Sequence, residues 1–225
     1  MKSVWAYEKL KQTMPAIFAI ALGLFAFSPG VFGETPASPG TKRAVFLGDS
    51  LTAGLGVERS EAFPALVAEK IQSTSLPFEV ENAGLSGDTS AGGLRRIDWL
   101  LQRRIDVLVI ELGANDGLRG LDLRSMKANL QAIIDKTKAK NPQVKIVLAG
   151  MQVPPNLGPD YATGFQRVYE ELAAENKATL IPFLLEGVGG HRELNQADLI
   201  HPNPAGHRIV ADVIWRTLEA ILREP

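Results

Sequence analysis

Residues 107–112 read Val-Leu-Val-Ile-Glu-Leu, a short and nearly continuous apolar run rich in β-branched side chains. Six residues is the length of a strand, and a strand apolar at successive positions is covered on both faces. On the N-terminal side, Thr89–Arg104 has helical spacing and ends in charge. On the C-terminal side, Leu123–Lys140 reads as a long amphipathic helix. The same alternation extends along the chain. Arg43–Leu47 and Lys145–Ala149 are further buried strands, Phe78–Glu81 a weaker one and Thr179–Phe183 a last one. Helical periodicity returns in Glu61–Gln72, with Phe63, Leu66, Val67 and Ile71 on one face, and again in Tyr161–Lys177 and Pro204–Leu222. Strands alternating with helices imply a parallel sheet joined by right-handed crossovers. The expected fold is therefore α/β, a three-layer α/β/α sandwich of about five parallel strands.

A chain of 225 residues, 45% hydrophobic and 22% charged, suits one such domain. Its first 33 residues have a different character. Lys2, Lys9 and Lys11 precede an uncharged apolar run, Pro15–Phe27, which is shorter than the roughly 20 residues of a membrane span. Ser28-Pro29-Gly30 breaks any helix, and Val31-Phe32-Gly33 offers small or modest residues for cleavage. Residues 1–33 are expected to be a signal peptide that exports the protein to the periplasm or the exterior, the competing reading being an uncleaved anchor. Residues 34–41 (ETPASPGT) form a flexible leader, and 42–225 the folded domain. Taking Lys2, Lys9, Lys11 and Glu8 from the totals of 24 and 25 leaves 21 basic and 24 acidic residues, a net charge of −3. No block of like charge points to nucleic acid. The absence of cysteine excludes thiol nucleophiles, thiolate metal sites and disulfides.

Open parallel sheets bind ligands beyond the carboxyl ends of their strands, so the segments after each strand carry the candidate chemistry. The first strand runs into Gly48-Asp49-Ser50-Leu51-Thr52-Ala53-Gly54. A serine at a strand's end, where a turn begins, presents its hydroxyl beside free backbone N–H groups. The segment is not the G-x-S-x-G elbow, because Thr52 stands where the second glycine belongs. A serine nucleophile needs a base, and there are three histidines: His191, His201 and His207. His201 lies in Asp198-Leu199-Ile200-His201-Pro202-Asn203-Pro204, where Asn203 is a natural N-cap and Pro204 a natural first helical residue. It is thus placed in the loop before the last helix, with Asp198 able to turn back toward its Nδ1. The plainer alternative makes Asp198 a turn cap and His201 a surface histidine. His207 falls inside the last helix and reads as packing or solvated. His191, after Gly189-Gly190, reads as a surface-loop residue.

Asn115, in Gly113-Ala114-Asn115-Asp116-Gly117, can aim its amide at a developing oxyanion, and Gly84 can offer an unobstructed N–H. With the Ser50 N–H these make a candidate oxyanion hole. The plainer reading of both glycine-rich segments is an ordinary turn. Asp49 and Asp116 read as structural acceptors, and the scattered histidines have no metal-ligand spacing. Around this mouth lie Leu118, Leu121, Met151, Val153, Pro154, Pro155, Leu157 and Tyr161, either a lining for an acyl or aromatic group or small cores under the loops. Leu118, Leu121, Pro154 and Pro155 are the candidate substrate contacts.

GDSL at 48–51, glycine at 84, GAND at 113–116 and DLIHP at 198–202 together resemble, in the same order, the four motif blocks of the GDSL or SGNH hydrolases. GANDGLRG at 113–120 and the exported single-domain layout resemble the bacterial periplasmic thioesterase, lysophospholipase and arylesterase branch. The resemblance implies a flavodoxin-like sandwich, no cofactor and a small-molecule ester or thioester substrate. It also implies Ser50 as nucleophile, His201 and Asp198 completing a triad, and Ser50, Gly84 and Asn115 as oxyanion donors. Two other readings stay open. A sugar O-deacetylase of the same fold would favour acetyl esters. A flavodoxin-like module would cradle a phosphate or flavin on Gly48–Gly56, although the full G-x-G-x-x-G is absent.

Overall fold

The computed structural model of the protein describes residues 40–224; the expected signal peptide and residues 34–39 of the leader lie outside the described residues. Five strands, β1 (Lys42–Gly48), β2 (Phe78–Gly84), β3 (Val107–Glu111), β4 (Lys145–Ala149) and β5 (Thr179–Ile181), form one sheet in the order β2-β1-β3-β4-β5. Every neighbouring pair is parallel. Seven helices connect and follow them: α1 (Ser50–Ala53), α2 (Phe63–Ser73), α3 (Ser90–Leu100), α4 (Ala114–Leu118), α5 (Leu123–Lys140), α6 (Pro159–Asn176) and α7 (Pro204–Leu222). The expected doubly wound α/β/α sandwich is the fold observed.

Successive side chains of a strand point to opposite faces, so a strand buried at every position needs a layer on each side. Ala44–Leu47 of β1 and Val107–Ile110 of β3 are buried throughout. Their cover comes from α2 packed with α7, and from α5 packed between α3 and α6. In α7 the buried residues Val210, Ile214, Leu218 and Ile221 recur at three- and four-residue spacing and form the stripe that meets this core. Each such side chain contributes about 1.5–3 kcal/mol by leaving water.

The limits of the elements follow local chemistry. β5 stops at Ile181, short of the expected Phe183, because Pro182 has no N–H for the ladder. α6 begins at Pro159, two residues before the periodic pattern, since proline suits the first helical position. α1 and α4 are single turns, too short for any periodicity to reveal. After β1 the chain crosses to β2 on one side, and the return strand β3 adds on the other. The strand order therefore reverses between β1 and β3, which opens a crevice at their carboxyl ends.

Candidate active site

Three segments meet at that crevice. The first follows β1. A Cβ on Gly48 would lie 2.0 Å from Thr52 Oγ1 and 2.6 Å from Glu111 Oε2, so only glycine lets the chain turn here. Asp49 then caps α1, its Oδ1 accepting the Leu51 N–H at 3.0 Å. Ser50 becomes the first helical residue, and its own N–H belongs to the end groups that have no intrahelical partner. The turn closes on Gly54, at φ +75°.

The second segment follows β3. Gly113, at φ +116°, swings the chain into α4 and packs against the hydroxyl of Tyr169, which donates to Leu112 O at 2.9 Å. Asn115 Nδ2 donates to Asp49 Oδ2 at 2.9 Å, leaving a second amide hydrogen at the cleft that Asn115 lines. Asp116 is structural, as expected. Its carboxylate accepts the Ser90 hydroxyl at 2.6 Å and the Ser90 N–H at 2.8 Å, tying α4 to α3.

The third segment precedes α7. Asn203 Oδ1 caps the helix through the Gly206 N–H at 3.0 Å, with Pro204 as first helical residue. Upstream, Leu199 takes φ +61°, a conformation that costs a non-glycine residue energy and bends Asp198 back over the following backbone. Asp198 Oδ1 accepts the N–H groups of Ile200 at 2.9 Å and His201 at 3.0 Å, while Oδ2 lies 2.6 Å from His201 Nδ1. The bond to His201, then the two backbone donors, hold this carboxyl at a pKa of about 2. A carboxylate facing Nδ1 keeps the proton on that nitrogen, so Nε2 is free to accept. Ser50 Oγ is 2.8 Å from Nε2.

The structure therefore brings Ser50, His201, Asp198 and Asn115 together. Gly84 is a correction. Its N–H donates to Asn82 Oδ1 at 2.9 Å, and a Cβ there would lie 2.2 Å from Ala53 N. Gly84 seats α1 against β2 and offers nothing to the cleft. Gly87, one loop further on, lines the cleft at φ +81° with open space where a side chain would be. The turn signal in Ser86-Gly87-Asp88 was the sequence clue to it. Its carbonyl accepts from Arg119 at 3.2 Å, so Arg119 braces this loop and does not pair with Asp116.

The cleft, of about 550 Å³, is lined by apolar side chains from five segments, among them Leu118, Met151, Val153 and Pro154. Leu121 is a second correction. It is not part of the lining, and its carbonyl accepts the Tyr161 hydroxyl at 2.8 Å. Pro155 opens the 3₁₀ turn Pro155–Leu157. Sequence reasoning missed Leu55, Leu199 and Ile200, which stand 45%, 45% and 48% exposed at the mouth. The other histidines stay apart from the crevice. His207 is buried, stacks on Phe63 and accepts the Phe63 N–H at 3.3 Å; burial pulls its pKa down to about 4. His191 is exposed beside Glu193.

A serine–histidine–aspartate relay beside an asparagine amide, at the switch point of a parallel sheet, is the arrangement of a serine-type hydrolase. The GDSL-like Lipase/Acylhydrolase family model matches residues 46–209, and the chain belongs to this family. It is 43% identical over 177 residues to esterase TesA of Pseudomonas aeruginosa, covering 78% of this chain and 87% of that protein. It is 37% identical over 179 residues to thioesterase 1/protease 1/lysophospholipase L1 of Escherichia coli, covering 79% and 84%. Among solved structures, the psychrotrophic esterase EstA from Pseudoalteromonas, inhibited by monoethylphosphonate, superposes with a TM-score of 0.77 at 33% identity, covering 81% of this chain and all of that one.

Proposed function

We propose that the protein hydrolyses carboxylic esters and thioesters of apolar acyl groups through an acyl-enzyme on Ser50. The 2.8 Å contact between Ser50 Oγ and His201 Nε2, opening onto an apolar cleft, carries this reading. His201 takes the hydroxyl proton as Oγ attacks the acyl carbon, and Asp198 stabilises the imidazolium so formed. The tetrahedral oxyanion is held by the N–H groups of Ser50 and Gly87 and by the Asn115 amide. His201 then protonates the leaving alcohol or thiol, and water repeats the sequence on the acyl-enzyme.

Hydrolysis of p-nitrophenyl esters from acetate to palmitate tests substrate class. Medium or longer chains are expected to give the higher kcat/KM, because they fill the cleft between Leu118 and Met151. A sharp optimum at acetate would favour the deacetylase instead. On the best ester, Asn115→Ala is expected to lower kcat about a hundredfold or more, the loss of one donor costing about 2.7–4 kcal/mol of transition-state stabilisation. A near-normal kcat would remove Asn115 from the oxyanion hole.

We also infer export. Three lysines ahead of the Pro15–Phe27 run support a cleaved signal peptide, and Ser28–Gly33 supports cleavage close to Gly33. N-terminal sequencing of the protein expressed in a bacterial host is expected to start near residue 34. An intact Met1 terminus would reject cleavage.

A further inference from the structure

Glu111 closes β3 with a fully buried carboxyl that the mechanism above does not use. Its Oε2 accepts the Thr52 hydroxyl at 2.7 Å and the Asp49 N–H at 3.2 Å, whereas Oε1 has no partner. No cation among the described residues forms an ion pair with Glu111; the acidic neighbour is Asp49, itself buried. An unpaired carboxylate in such a place is strongly disfavoured.

We propose that Glu111 is held as a neutral carboxylic acid beside the Asp49 carboxylate and acts as a positioning residue, fixing Ser50 and Asn115. Two neighbouring carboxyl groups buried away from water do not both ionise, so one keeps its proton. The donors decide where it resides. Asp49 receives the Leu51 N–H on one oxygen and the Asn115 amide on the other, so both of its oxygens are provided for as a carboxylate. Glu111 has one oxygen with no donor at all. Burial and the neighbouring Asp49 push its pKa well up, whereas at Asp49 the hydrogen bonds from Leu51 and Asn115 work against the rise that burial causes. The other groups facing the pair are Thr52 from α1, Asn115 from α4, His201 from the loop before α7 and the Tyr169 hydroxyl from α6.

The protonation state matters to catalysis. One negative charge beneath Ser50 suffices to hold the Asn115 amide by its first hydrogen, leaving the second for the oxyanion. A second charge would repel that oxyanion in a site that water does not screen. Glu111 also ties the first turn of α1 to the central strand through Thr52 and the Asp49 N–H, which sets where Ser50 stands.

The inference rests on the proposed ester hydrolysis, and its test separates the two. Infrared spectra of the wild type near neutral pH are expected to contain a carboxylic-acid C=O band that Glu111→Gln removes. In steady-state kinetics on the best p-nitrophenyl ester, Glu111→Leu is expected to lose about a hundredfold in kcat with little change in KM. Glu111→Gln, neutral and of the same shape, is expected to recover most of that loss. Absence of the acid band, or a glutamine variant as impaired as the leucine one, overturns the proposal. If the leucine variant does not fold, the band and the glutamine variant still decide. A folded wild type with no esterase activity counts against the function, and the band then upholds or overturns the neutral acid by itself.

Discussion

Ser50→Ala is expected to abolish ester hydrolysis, with kcat on a p-nitrophenyl ester falling about 10⁶-fold while the melting temperature stays close to that of the wild type. The size of the effect follows from the geometry. Ser50 Oγ has His201 Nε2 as its partner, so removing it takes away both the attacking atom and the proton His201 is placed to receive. The fold does not depend on this hydroxyl, because α1 is capped by Asp49 and closed by Gly54. His201→Ala is expected to lose about as much, and the double variant hardly more, since the two groups act as one unit. A residue of about 10³–10⁴ over the uncatalysed rate is expected from the oxyanion donors alone. Kinetics of the three variants, with thermal melts as the control, provide the check. A serine variant retaining a tenth of the wild-type kcat would mean that another group attacks the acyl carbon.

The fold was legible because its determinants are periodic and local. Runs such as 107–110 and 146–149 are apolar at consecutive positions, and α5 and α7 have repeating stripes with N-caps at Asp122 and Asn203. The relay was legible for a related reason: the segments bearing Ser50 and Asp198–His201 are set by chain direction, one just after β1 and the other just before α7. What could not be read depends on contacts between segments distant in sequence. Gly84 and Gly87 are three residues apart and both plausible donors. The difference is that the β1–β2 register carries β2 on to Gly84, opposite Gly48, where α1 packs over it. Leu121 was expected in the cleft because it follows Leu118, but the end of α4 directs its carbonyl to Tyr161 on α6. Glu111 was hidden within the most apolar strand of the protein. A carboxyl there makes sense only once Thr52 and Asp49, some 60 residues earlier, come into contact with it through bonds spanning 59 and 62 positions.

Asp198→Asn is expected to give the second large loss in the relay, about 10³-fold in kcat, somewhat below the roughly 10⁴ of a triad whose aspartate is buried. An asparagine oxygen can still accept from the Ile200 and His201 N–H groups, so the turn that Leu199 bends is retained. Its NH₂ then faces His201 Nδ1. That arrangement makes Nδ1 the acceptor and moves the ring proton to Nε2, where it blocks transfer from Ser50. The loss is tempered because the Asp198 side chain is 43% exposed, so water can replace part of the lost acceptor. The same variant also tests the charge on Asp198. In the wild type the bond to His201 and the two backbone donors hold Asp198 at about 2, so it stays ionised well below neutrality. A folded-state pKa below the ordinary value of 3.8 means that Asp198 favours the native state fully above 3.8 and loses that effect as pH falls through about 2. The melting-temperature gap between wild type and Asp198→Asn is therefore expected to be widest near neutrality and to narrow across that window. A gap that closes only above pH 5, or a variant with wild-type kcat, would detach Asp198 from His201 and leave the imidazole to be oriented by some other group.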